Sequence, residues 1–189
     1  MLRKVVVAGV LGGLAMIVWA FVMNGIFWFN KSIAMKDIPD ERAVYEVLKK
    51  NIVAPGRYVC NPAVTPSGFP LNEPVFGITY SGMGHEAAGR EQLIRLASAF
   101  LVTLIAAWML SVTSERVLGS YFRRVLFFAV IGLLIAVFSD LPKSGIGAYP
   151  MHDALLWAAY DVATWMAVGL VVASVIKPEL GRGRPSKSA

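Results

Sequence analysis

One cysteine and two histidines are all that 189 residues supply of the side chains most used as nucleophiles and transition-metal ligands. Cys60 alone cannot close an internal disulfide, so no disulfide framework is available; the expectation is a buried free thiol, with a bridge between chains as the alternative. His85 and His152 make no HxxxH or HExxH pair, and GxxxxGK[ST] is missing. Ser81-Gly82-Met83-Gly84 is therefore a turn and not a phosphate loop. Serine and threonine are scattered through the apolar runs without a His/Asp partnership, so nucleophilic catalysis has no support. Charged residues make up only 16% of the chain, and no motif identifies a reaction.

What is present is hydrocarbon. The chain is 57% hydrophobic and its mean hydropathy is +0.61. Four apolar runs dominate, at 5–29, 93–112, 121–140 and 153–176. A bilayer core of about 30 Å takes about 20 helical residues, so each run is long enough to span it. The expected fold is all-α: a four-helix transmembrane bundle, up-down because its connections are short. A small extracytoplasmic α/β insertion at 30–92 separates spans one and two.

The net charge of +6 does not mark a nucleic-acid partner, because its distribution has a simpler cause. Arg3 and Lys4, then Arg116, Arg123 and Arg124, then Lys177, Arg182, Arg184 and Lys187 stand beside spans, against only Glu115 and Glu179. The stretch 30–92 holds seven residues of each sign. Basic short loops face the cytoplasm, which puts both termini and the basic tail 177–189 inside, in a bacterial cytoplasmic membrane, with the long insertion outside. Ser32-Ile33-Ala34 resembles a cleavage site. The preceding apolar run nevertheless exceeds a signal-peptide core, so a retained anchor is expected.

Local signals fill in the parts. Gly9 and Gly13 are spaced for close helix packing within the bundle. Asp40 reads as the N-cap of a short helix with Ala43, Val44, Val47 and Leu48 on one face. Gly56–Cys60 and Pro74–Tyr80 read as two strands, with an extended proline-rich stretch between them. Trp28, Phe29, Tyr149 and Trp157 suit interfacial aromatic belts. The tryptophan-ended first span, the Asp40–Leu48 helix, Gly56-Arg57-Tyr58 and Pro74-Val75-Phe76 resemble a family of small uncharacterised bacterial four-span membrane proteins. That resemblance implies the topology and no activity. The order of a large outer loop and a small one is also similar to claudin-like proteins, without their first-loop Trp and paired Cys.

Two places carry candidate chemistry. Asp161 lies inside span four, where an ionisable group costs several kcal/mol unless it faces protein or water. It is the candidate catalytic residue; the structural alternative is a hydrogen bond to Asn24, Ser98 or Thr103. Asp153, Trp157, Asp161 and Trp165 recur every four residues on one drifting face. At the outer mouth, His85, His152, Asp140 and Asp153 are expected at similar depth and are the candidate ligands for Zn²⁺ or Cu²⁺. No cofactor is identified. The leading functional expectation is an accessory or scaffolding subunit that docks through its outer insertion. Its partners would be the bilayer and other membrane subunits or a second copy. The alternatives are a small membrane enzyme or metal/redox protein using Asp161 and the outer His/Asp cluster, and an oligomeric transporter or channel.

Overall fold

The computed structural model describes residues 1–34, 36–61, 73–145 and 148–178. The proline-rich stretch at 62–72 and most of the basic tail therefore lie outside the described residues. Four helical stretches are long and apolar enough to cross a membrane: Leu2–Ile26, His85–Ser111, Tyr121–Lys143 and Met151–Val175. Within them the regular helices are α1 (Leu2–Phe21), α4 (Ala88–Ser111), α6 (Tyr121–Ile135) and α7 (Met151–Val175). Short helices α2 (Phe29–Ile33), α3 (Glu41–Asn51) and α5 (Glu115–Leu118) lie in the connections.

The first span ends earlier than its apolar run suggests. Helix α1 passes into one wide π turn, Val22–Ile26, and Trp28 then adopts the left-handed region at φ 53°, which breaks the helix ahead of α2. The second span begins earlier than expected. The charged residues Arg90 and Glu91 already belong to α4, because a helix accepts polar residues once it leaves hydrocarbon. Span three also ends in a π turn, Ala136–Asp140, followed by a 3₁₀ turn, Leu141–Lys143.

The insertion forms as its sequence indicates. Asp40 caps α3, its Oδ1 accepting from the Ala43 N–H at 3.2 Å. Strands β1 (Gly56–Cys60) and β2 (Phe76–Tyr80) pair antiparallel, Arg57 opposite Thr79 and Tyr58 opposite Ile78. Pro74 stays outside β2, where its missing N–H costs the ladder nothing. Asn61, left-handed at φ 64°, donates from Nδ2 to the Glu73 carbonyl at 3.2 Å, fastening the two ends of the long connection. Cys60 is free and exposed on β1, not buried as expected.

Packing runs α4–α1–α7–α6, and α4 meets α6 only marginally. Helix α7 is the central member: 33% of its span is buried, against 22% for the span of α4. The contacts are antiparallel at each step. Gly9 lies against Leu104 and Gly13 against Phe100; Gly12 lies against Val168 and Val172; Gly169 lies against Phe128. A Cβ on Gly9 would stand 2.8 Å from the Cα of Leu104, and one on Gly132 2.9 Å from the Cα of Val162. Those contacts are with backbone, which no rotamer change relieves. Thr103 Oγ1 donates across the α1–α4 contact to the Gly9 carbonyl at 2.8 Å.

At the end bearing the basic residues, Arg124 is 5% exposed. Its Nε donates to the Ala173 carbonyl at 3.0 Å and its Nη1 to the Leu118 carbonyl. A guanidinium thus closes the last turn of α7, where free carbonyls and the helix dipole favour a cation. Tyr121 adds a hydrogen bond to the Leu170 carbonyl at 2.9 Å. Counted by charge alone, Arg124 is one more topology signal; the structure makes it a buried clasp between α5, α6 and α7.

Two substitutions test this packing. Gly9→Leu must push α1 off α4 and should lower stability by about 1–3 kcal/mol, the range for overpacked interiors. Arg124→Met should cost about 1.5–3 kcal/mol for each charged hydrogen bond lost. Thermal unfolding in mild detergent reads both, with Arg123→Met as the exposed control.

Candidate functional site

The two π turns stand at the outer ends of spans one and three. The turn Val22–Ile26 carries Asn24, and the turn Ala136–Asp140 carries Asp140. Adding one residue to a helical turn leaves part of the backbone ladder out of register and re-aims a side chain. Asn24 Nδ2 donates to the Ala20 carbonyl at 2.9 Å, and its Oδ1 accepts from the Asn30 N–H at 3.3 Å. From the opposite flank, the widened turn carrying Asp140 packs on α7 beside Asp161. Consecutive residues of α7, Tyr160 and Asp161, thus meet the outer end of span one, through Phe29, and the outer end of span three.

Asp140 is 1% exposed. Its Oδ1 accepts from Lys143 Nζ at 2.7 Å, one helical turn on. Its Oδ2 is buried and has no N–H or hydroxyl donor among the described residues. Asp161 is half-buried. The arrangement places a second carboxyl beside the Asp140–Lys143 ion pair, at the outer end of span three.

An aromatic group closes the α1 side. Phe29 stacks on Tyr160 with centroids 4.8 Å apart and meets Trp157 edge-on at 5.4 Å. Trp157 is thus half-buried between elements and does not simply line a lipid interface, and its indole Nε1 is buried without an acceptor among the described residues. Each step of four residues overshoots a helical turn by about 40°. The line Asp153, Trp157, Asp161, Trp165 accordingly drifts from the α1 side to the α6 side, where Trp165 stacks on Phe128 at 6.3 Å.

The four outer candidates for a metal separate into different places. Asp153 accepts from Lys36 Nζ at 3.1 Å, and its Oδ1 meets His152 Nδ1 at 3.3 Å. Asp140 sits deeper, with Asp161, which is eight residues or about 12 Å along α7 from Asp153. The reason is that span three continues as a 3₁₀ turn beyond Asp140, which lowers that residue below the mouth. His85 heads α4 on the far side of α1, away from α7 and α6. Among the described residues no three His, Cys, Asp or Glu side chains gather closely enough to hold a metal ion. Of the three partners expected for Asp161, Asn24 bonds to Ala20 and Asn30, Thr103 to Gly9, and Ser98 is exposed.

A cleft of about 740 Å³ opens just outside Asp140, between the hairpin and the outer end of span three, with Lys143 and Ser139 in its wall. A second hollow, about 450 Å³, lies between Tyr45, Leu48 and Ile52 of α3 and Ile78 and Tyr80 of β2. Compared with protein-family models, curated proteins and solved structures, the chain has no match in any of the three.

The unpartnered Asp140 oxygen makes a graded prediction. Asp161→Asn brings an amide donor beside Asp140 and should leave stability within about 0.5 kcal/mol, the usual range for a tolerated substitution. Asp161→Leu surrounds the buried carboxylate with hydrocarbon instead and should cost about 1–3 kcal/mol. Equal stability of the two variants in denaturant titration would show that Asp140 does not depend on its neighbour.

Proposed function

We propose that this protein is an accessory or scaffolding subunit of a membrane assembly, docking through its extracytoplasmic insertion. One observation carries the reading: between 36–61 and 73–90, no described residue is buried. A helix and a two-stranded hairpin without an interior are marginal alone, since two strands do not stabilise themselves in water. The insertion nevertheless presents Tyr45 and Val47 of α3, Val53, Val59 of β1 and Phe76 of β2 to solvent. It also leaves one edge of each strand unpaired within the sheet. Exposed apolar side chains with free strand edges are what a partner covers by strand addition. Cytoplasmic termini in a bacterial inner membrane, and the four-helix bundle, belong to the same proposal. The basic residues beside the spans support the orientation.

The carboxyl pair favours a second reading, a proton-coupled membrane enzyme or an oligomeric transporter. Ionisable groups within spans mark proton and ion paths by default. Against it, the site has no adjoining nucleophile or metal set among the described residues. Asp140 is already engaged structurally, by its ion pair with Lys143.

The two readings part under gentle extraction followed by native mass spectrometry. The wild type should emerge bound to other subunits. Val47→Asp, on exposed α3, should release them by at least about tenfold, the effect of some 1.4 kcal/mol, while Asp161→Asn should keep them. A bare monomer that is indifferent to Val47→Asp would sink the accessory reading. Loss of a proton-dependent activity in Asp161→Asn would then replace it.

A further inference from the structure

We propose that the 740 Å³ cleft between the hairpin and the outer end of span three binds the phosphate of an anionic phospholipid headgroup. The cleft joins two cations from distant parts of the chain, Arg57 of β1 and Lys143 of the 3₁₀ turn, and no acidic residue among the described ones lines it. Thr79 stands opposite Arg57 in the hairpin, so both side chains leave the same face of the sheet. With Ser139 in the facing wall, they surround the space with hydroxyl and guanidinium donors.

Arg57 makes no ion pair among the described residues. Lys143 gives one of its three donors to Asp140, while 45% of its side chain stays exposed. A guanidinium fork matches two oxygens of a phosphate, and a lysine adds a point charge beside it. The shared chemistry, a phosphate ester, could come from a lipid or from a soluble metabolite. The lipid is favoured by what lies beneath. Leu134, Val137 and Phe138, 65%, 55% and 87% exposed, form an apolar strip that runs up to Ser139. Acyl chains laid along that strip bring a headgroup to the mouth of the cleft.

Hydrogen exchange on the full-length protein in nanodiscs tests this, read at the amides of Phe76–Tyr80. Exchange there should slow about tenfold in phosphatidylglycerol relative to phosphatidylcholine, the effect of one additional charge-assisted hydrogen bond. Arg57→Ala and Lys143→Gln should each abolish that difference, and Arg57→Lys should retain part of it. Lys143→Gln keeps the reading secure if the hairpin of Arg57→Ala is disturbed. Slowing by glycerol phosphate in phosphatidylcholine nanodiscs, lost in Arg57→Ala, would keep the phosphate site and assign it to a soluble ester. Equal exchange in both lipids with no response to glycerol phosphate, or a difference that survives in both variants, would overturn the proposal.

Discussion

The structure depends on how closely helices can approach when hydrocarbon surrounds them. Burying apolar side chains gains little in lipid, so association rests on van der Waals contact and a few hydrogen bonds. The glycines supply that contact on both flanks. Gly9, Gly12 and Gly13 admit α4 and α7 to α1, while Gly132 and Gly169 bring α6 onto α7. Because α7 takes part in two of these seams, it is the member against which α1 and α6 are positioned. The polar groups brought to its face inherit their geometry from glycine spacing many residues away.

Polar groups inside such a protein must find partners within it, and several here do so by different devices. Thr103 uses a carbonyl on the neighbouring helix. Arg124 closes the carbonyl end of α7. Asn24 and Asp140 lie in widened turns, where a single extra residue re-aims a side chain. A regular helix through Ala136–Asp140 would put Asp140 at a different angle, and nothing in the apolar pattern of span three marks that change.

Hydrophobic length sets the number and approximate position of the spans, because a long apolar run has few other stable homes. The Asp40 cap, the Gly9/Gly13 seam and the two strands were legible for a similar reason: each depends on residues near one another in sequence. The site was legible in its members and not in its grouping. Asp161 and Asp140 stood out individually as charges in or at the edge of apolar runs. A symmetric hairpin would have put Asp140 level with Asp153. Only the 3₁₀ extension of span three, which has no strong sequence signal beyond Pro142, lowers it to Asp161. Arg124 was hidden because its sign and its place beside a span satisfy the topology rule whether or not the side chain is buried.

Lys143 connects the buried and the exposed halves of the molecule. Its ammonium pairs with buried Asp140, beside Asp161, and the same side chain lines the outer cleft. An anion entering that cleft competes with Asp140 for the lysine. Drawing Lys143 outward leaves buried Asp140 with less compensating charge, and a tighter hold of Asp140 on Lys143 weakens the cleft for an anion. Reciprocity between two binding equilibria is a thermodynamic requirement, not an additional assumption. One side chain, Lys143, thus touches both the outer cleft and the buried carboxylate.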